Sequence, residues 1–451
     1  MAQVLAIQSE LSFDPHKQFT GLRSRYFAAT PNAQILRHVK NDAPEDHGVL
    51  ADTEIRRPSI RFQPSWEDYS ARSKRVTRQR SNFPGEALPE GFPPLITGPR
   101  TWSGRDIATP DKFTFQLSSA DLAEIESALA QFKDLPGTNG PDQVSRDLFP
   151  LPILGRTLGR ISEDLHKGCG VAILRGLNPK VYTPWENVIL FTGLASYLGE
   201  QRGCQDEHGN MLTHLVDMGF KFGHNSKRSP AFDAGALPFH NDVCDLLAMY
   251  VQDCASSGGE SLLASSAAVY NEIAATRPDV IKTLAEPVWV YDKDKAPAVW
   301  PGRAILFPES EQGPFFCFSR AKITGSETHP LSPSLPAMTE AQAEALDMVH
   351  FIAEKHAIVV KSEPGDILLC NNLALLHGRK AFSDAASDNR RRHIIRLWLR
   401  NKERAWHTPK GLERDWSVVY GNSERRTRMR WMFRPEDVEK ERVIGHKITC
   451  S

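Results

Sequence analysis

Within LPFHND, residues 237–242, a histidine and an aspartate stand two positions apart behind an apolar approach. On a strand, positions i and i+2 project to one side, so His240 and Asp242 can offer an imidazole and a carboxylate to a common point while Asn241 turns away. The plainer alternative is a polar turn with a hydrogen-bonded histidine at a strand end. A third metal ligand must come from another element. His377, in NNLALLHGRKAF, follows the turn Pro364-Gly365-Asp366 and the apolar run DILLCNN, and is the leading candidate; His214, His350, His356 and His393 stand beside it among the 15 histidines.

Two imidazoles and one carboxylate on one face of a metal, with the other positions open, form the facial triad used by non-haem Fe(II) oxygenases. Zinc accepts the same donors, but a zinc hydrolase also needs a base and a transition-state stabiliser, which no motif supplies. A second chemical signal lies in RRRHIIRLWLR, where alternation puts Arg392, Ile394, Arg396 and Trp398 on one face and His393, Ile395, Leu397 and Leu399 on the other. Both faces are largely apolar, which reads as an inner strand whose guanidinium groups need anions. A dicarboxylate would supply one, since Arg grips a carboxylate with paired N–H donors. Buried Asp or Glu partners, or an exposed sheet edge, account for the arginines equally well.

The elements that must position these residues read as a mixed, β-rich body. In QLSSADLAEIESALAQF, Leu122, Ile125, Leu129 and Phe132 recur at helical spacing, and Ser118 with Asp121 makes a capping box. ISEDLHKGCGVAILRGL predicts a helix, a glycine turn and a strand at Val171–Leu174; ENVILFTGLASYLGE predicts another helix. From Leu237 onward short apolar runs follow one another: LLAMYVQD, SLLASS, VWVYD, AILFP, FFCFSR, AIVVKS, DILLCNN and HIIRLWLR. Strands without a helix between each pair argue for an antiparallel sandwich or barrel rather than a doubly wound parallel sheet. One further helix is expected in MTEAQAEALDMVHFIAEKH, with Ala341, Ala345, Met348 and Ile352 on one face.

The chain has 451 residues, 40% hydrophobic and 24% charged, enough for a large core. Lys plus Arg and Asp plus Glu are 55 each, so no global field favours nucleic acid or acidic membranes, and a small-molecule partner is expected. Nothing in the sequence speaks for or against an oligomer. Seven scattered cysteines without a C-x-x-C pair suit a reducing compartment. A cytoplasmic location is expected, with GLRSRYFAA raising a mitochondrial leader as the lesser alternative, and no apolar run is long enough for a membrane span. Residues 1–97 read as an extended, partly irregular arm, 98–416 as the main domain and 417–451 as a basic C-terminal extension. Between Ala51 and Arg80 basic residues outnumber acids, which reads as a solvated linker rather than a nucleic-acid contact, because aromatic interleaving is sparse.

Taken together, FHND at 239–242, SGGESLLASSAAVYNEIAATRPDV at 257–280, GDILLCNNLALLHGRKAF at 365–382 and RRRHIIRLWLRN, ending at Asn401, resemble the taurine dioxygenase and clavaminate synthase-like Fe(II)/2-oxoglutarate oxygenases, fungal members especially. A looser likeness extends from Gly98 to Trp416. The resemblance implies a double-stranded β-helix of jelly-roll type with flanking helices. It implies His240, Asp242 and His377 as iron ligands, and Ser261 as a hydrogen-bond donor to the distal carboxylate of 2-oxoglutarate. Arg392, at 392 − 377 = 15 positions past the distal histidine, matches the arginine that holds the same carboxylate, with Arg391 as the alternative register. Arg396 matches a second arginine that faces the primary substrate's acid group or reinforces the cosubstrate site. The implied activity is oxidation of an unactivated C–H of a small acidic or amino-acid-derived metabolite, using Fe(II), 2-oxoglutarate and O2 and releasing succinate and CO2. The competing expectations are a metal-dependent lyase or cyclase on the same barrel, and a catalytically silent scaffold.

Overall fold

The computed structural model describes residues 60–80 and 87–435, apart from 108, 138–139, 207, 219–228, 293–300, 309–310, 385–390 and 422–428. The leader-like segment lies outside these residues. Helices are α1 (Trp66–Arg80), α2 (Ser119–Asp134), α3 (Leu154–Lys167), α4 (Pro184–Ser196), α5 (Ser266–Thr276), α6 (Pro278–Ala285), α7 (Arg320–Thr324), α8 (Glu340–His356) and α9 (Glu413–Tyr420). The principal strands are β1 (Thr114–Gln116), β2 (Val171–Arg175), β3 (Gln201–Arg202), β4 (Thr213–Leu215), β5 (Leu237–His240), β6 (Leu246–Asp253), β7 (Ser261–Ser265), β8 (Ile358–Val360), β9 (Ile367–Asn371), β10 (Leu375–Arg379) and β11 (His393–Arg400).

Two sheets carry the body. The larger runs β1-β2-β9-β6-β11-β3 with β4 also on β11, and the smaller runs β8-β7-β10-β5. Every pairing in them is antiparallel except β1 with β2. Alternation sorts the side chains, because successive residues of a strand face opposite sides. Leu247, Met249 and Val251 of β6, Leu368 and Cys370 of β9, and Ile394 and Trp398 of β11 pack inward with Leu263 of β7 and Leu375 of β10. The intervening Ala248, Tyr250, Leu369, Ile395 and Leu397 face out, where α2, α3 and α4 cover them. Leu262, Ala264 and Leu376 face out from the smaller sheet under α5, α6 and α8. Each large apolar side chain so buried contributes roughly 1.5–3 kcal/mol. This is the jelly-roll double-stranded β-helix with flanking helices.

Helix α2 starts as its sequence predicts, with the reciprocal Ser118–Asp121 capping box, and buries Ile125, Leu129 and Phe132. Three expected strands shrink to two-residue ladders at Trp289–Val290, Leu306–Phe307 and Phe315–Phe316. The single-face reading of α8 is corrected: Ala341 is exposed, whereas residues 342–349 are all buried. The reason is that α8 is covered on two sides, by α5 and α6 and by α1. That second cover also revises the arm. Helix α1 places Trp66 and Tyr69 against Phe351, each with ring centroids 5.2 Å from it, and buries Arg72 to 3% exposure, so Arg72 is no part of a solvated linker. At the other end α9 crosses the expected boundary at residue 416: the Tyr420 hydroxyl donates to the Leu399 carbonyl at 2.9 Å. Among the described residues no helix is long and apolar enough to cross a membrane.

Candidate metal centre and cosubstrate pocket

His240 and His377 are register partners on the adjacent strands β5 and β10, and their ring centroids lie 4.2 Å apart. One ligand atom each from His240, Asp242 and His377 falls within 4.8 Å of the others. Asp242 reaches this point differently from the alternation argument, since β5 ends at His240. The chain beyond it is held by asparagines. Asn241 Nδ2 donates to the carbonyls of Asn372 (2.7 Å) and Leu375 (2.9 Å), and its backbone N–H donates to Phe318 O at 2.8 Å. Asn372 accepts from the Asp242 N–H at 2.9 Å and donates to the Asp242 and Cys244 carbonyls at 2.7 Å each. These bonds clamp the tripeptide to the turn between β9 and β10, which delivers His377.

The protonation states suit a metal. The Nδ1 of His240 is engaged by the Pro238 carbonyl at 2.8 Å, which leaves Nε2 for a ligand bond. Burial, offset in part by Asp242, keeps the His240 imidazole below its ordinary pKa, and burial together with His240 pushes His377 down to about 3. Both rings are therefore neutral, the form that ligates. Burial pushes the Asp242 carboxyl up, but the Arg396 charge and the Trp398 N–H oppose it, and the carboxyl lies below the usual carboxylate range. Its Oδ2 accepts from Arg396 Nη1 at 2.8 Å and Trp398 Nε1 at 2.9 Å, while Oδ1 is buried without a partner among the described residues. An orphaned carboxylate oxygen between two neutral imidazoles fits a divalent cation, whose bond would satisfy it.

Of the expected arginines, Arg392 is 5% exposed and lines the same cavity, whereas Arg391 is exposed. Its Nη1 is buried without a partner among the described residues, and burial pushes its pKa down to about 10. The SGG turn explains itself here. Gly259 has φ +79°, and a Cβ on it would lie 3.1 Å from Arg392 Cδ and Nε and 3.2 Å from Phe382 Cβ. Glycine suits both the conformation, which other side chains rarely adopt, and the close approach. Ser261 lines the cavity on the inward face of β7. Arg396 has a different environment: besides Asp242 it donates from Nε to Gln205 Oε1 at 2.9 Å, so its guanidinium orients the ligand carboxylate.

Sequence reasoning missed Arg379. It shares the inward face of β10 with His377, two positions away, which was a readable signal. It pairs across to Ser261, is 4% exposed, and donates from Nη2 to the Asp233 and Gly235 carbonyls, with Nε buried and unpartnered. Its guanidinium and that of Arg392 lie 4.8 and 5.3 Å from the centroid of one Phe382 ring. Burial, then the Arg392 charge, lowers its pKa well below the usual guanidinium value. The alternative histidines are elsewhere: His214 Nδ1 contacts His393 Nε2 at 2.7 Å, and His356 Nε2 contacts Glu272 at 2.7 Å.

The family model described as taurine catabolism dioxygenase TauD, TfdA family matches residues 131–398, and the chain belongs to that family. It is a non-haem oxidoreductase that uses Fe(II), 2-oxoglutarate and O2. It is 36% identical over 343 residues to the taurine hydroxylase-like protein SAT17 of Stachybotrys chartarum, covering 74% of this chain and 87% of that one. It is 26% identical over 309 residues to the FR-33289 synthase of Streptomyces rubellomurinus, covering 67% and 90% respectively. Among solved structures, an asparagine oxygenase in complex with Fe(II), 2S,3S-3-hydroxyasparagine and succinate superposes with a TM-score of 0.51 at 16% identity, over 64% of this chain and 93% of that one.

Proposed function

We propose that His240, Asp242 and His377 hold Fe(II), that Arg392 and Ser261 hold the far carboxylate of 2-oxoglutarate, and that the enzyme oxidises a C–H bond of a small acidic or amino-acid-derived metabolite. The observation that carries this reading is the convergence of two neutral imidazoles on a buried carboxylate with one free oxygen. Bound iron with 2-oxoglutarate supplies O2 activation: one oxygen atom goes to succinate with loss of CO2, and the other oxidising equivalent goes to the substrate. The chain's own residues do the rest. Arg396 and Trp398 fix Oδ2 of Asp242 so that Oδ1 points away from them, and Pro238 fixes the His240 tautomer. The unpartnered Nη1 of Arg392 gains its partner when the diacid enters. The apolar wall, Leu247, Met249 and Leu263, keeps water from the reacting C–H. The asparagine oxygenase, and the amino-acid chemistry its complex displays, support the amino-acid part of the substrate class by analogy of fold.

The test is anaerobic addition of Fe(II) and 2-oxoglutarate. The visible charge-transfer band of the iron chelate is expected in the wild type, and His377→Ala is expected to lose both the band and succinate release while keeping its far-UV circular dichroism. A His377→Ala protein that turns over 2-oxoglutarate at the wild-type rate removes this residue from the triad.

A further inference from the structure

A second serine and arginine lie on the cavity wall with buried polar atoms that no group among the described residues satisfies. Ser319 and Arg320 line the cavity shared by the triad, Ser261 and Arg392. Ser319 is 8% exposed and Arg320 1%, and among the described residues neither Ser319 Oγ nor Arg320 Nη1 has a hydrogen-bond partner. Leaving such donors orphaned in the interior costs about 1–3 kcal/mol each, more for a charged group, so a fold retains them where a ligand completes them. Their position relative to the triad is enforced by backbone. The preceding Phe318 accepts the N–H of Asn241, the middle residue of the metal tripeptide, and returns its own N–H to Asn241 Oδ1 at 3.4 Å.

The rest of the Arg320 guanidinium is held from behind. Nη2 donates to Asp347 Oδ1 at 2.6 Å and to the Arg61 carbonyl at 2.7 Å, and Nε donates to the Phe62 carbonyl at 2.9 Å. Asp347 is shared: its Oδ2 accepts from Arg72 Nη1 at 2.9 Å. In this buried set two guanidinium groups divide one carboxylate. The further acid, Glu340, reaches Arg72 from the surface with 57% of its side chain exposed. Arg320 thus lines the cavity with Nη1 outside this network, and Phe62 of the N-terminal segment forms part of the wall. Of the other cations on this cavity, Arg396 is engaged by Asp242 and Gln205, Arg379 donates to the Asp233 and Gly235 carbonyls, and Arg392 is the proposed cosubstrate anchor.

We propose that Ser319 and Arg320 form the pocket for an oxyacid group of the primary substrate, a carboxylate, sulfonate or phosphonate, and that residues 61–72 are part of that pocket because they hold Arg320 in place. This deepens the reading above and rests on it. Substrate and cosubstrate are then gripped by separate serine–arginine pairs of one cavity, and the substrate's acid group fixes which C–H faces the metal. Arg320 and Ser319 are specificity residues that touch substrate; Asp347 and Arg72 are positioning residues that act through Arg320.

The experiment uses the full chain with Fe(II) and 2-oxoglutarate under anaerobic conditions. The probes are the twenty L-α-amino acids, each beside its α-carboxamide, together with taurine and 2-aminoethylphosphonate. Binding is read as a shift of the visible charge-transfer band and, after O2 is admitted, as stimulated succinate release. At least one acid is expected to shift the band while its amide does not, with taurine and 2-aminoethylphosphonate separating sulfonate and phosphonate from carboxylate. Arg320→Met is expected to weaken the effective probe about tenfold to a hundredfold, the range of a lost charged hydrogen bond, with Arg320→Lys intermediate. Ser319→Ala is expected to weaken it less and leaves the Asp347 network untouched, so it tests the pocket even if Arg320→Met fails to fold. Equal binding of acid and amide, no probe shifting the band, or unaltered affinity in both Ser319→Ala and Arg320→Met overturns the pocket while the band itself persists. Absence of the band in the wild type overturns the iron reading and the pocket with it.

Discussion

The two ends of the cavity use the same pair of side chains on different supports. Ser261 opens β7, and Arg392 immediately precedes β11, so both are placed by strands whose ladders are set by backbone hydrogen bonds. Ser319 and Arg320 lie where a two-residue ladder gives way to the short helix α7, held by Asn241, by Asp347 and by carbonyls of the N-terminal segment. The difference fits the tasks proposed for them. A cosubstrate of constant length can be met by groups fixed on a rigid sheet, whereas substrate preference sits on irregular chain that can change without disturbing the barrel.

The comparison breaks most severely at Arg396, which pairs with the proposed metal ligand Asp242. Arg396→Met leaves Asp242 buried with one of its charge partners gone, and removing one member of a buried pair costs roughly 3–5 kcal/mol. A large fall in the midpoint of denaturant unfolding is expected, with weakened iron affinity; an unchanged midpoint would falsify the pairing described here. Arg392→Ala comes next. It removes the charged hydrogen bonds proposed for the cosubstrate, so the 2-oxoglutarate concentration needed for half-maximal succinate release is expected to rise about tenfold to a hundredfold with iron binding retained. An unaltered requirement would move the anchor to Arg379, the other buried cation beside Phe382. Gly259→Ala sharpens the contrast at smaller scale. Alanine at φ +79° costs roughly 1–2 kcal/mol and crowds Arg392, so a modest stability loss and a several-fold higher 2-oxoglutarate requirement are expected. If titration finds the requirement unchanged, the double glycine serves only the turn.

Much of the sheet-borne end was legible because strand periodicity is local. HIIRLWLR is a strand from end to end, and its two faces divide between the inner and outer clusters as alternation predicts. Alternation was pressed too far at Asp242, which lies beyond the end of β5 and is turned inward by Asn241 and Asn372 instead. Helix α8 misled for a related reason: its composition shows one apolar face, but Glu344 and Asp347 are buried in ion pairs with Arg277, Arg72 and Arg320. A charge buried against a distant partner has no local signature.

By itself the sequence determined which residues could ligate a metal and how strand residues divide between two faces, since side-chain chemistry and the two-residue repeat belong to short stretches of chain. Tertiary structure alone decided that Arg396 serves Asp242, that Arg379 joins Arg392 beside one ring, and that Arg320 faces the cavity. Those outcomes depend on contacts between residues 154, 13 and 259 positions apart, and a guanidinium's role is set by whichever anion or carbonyl the fold brings to it.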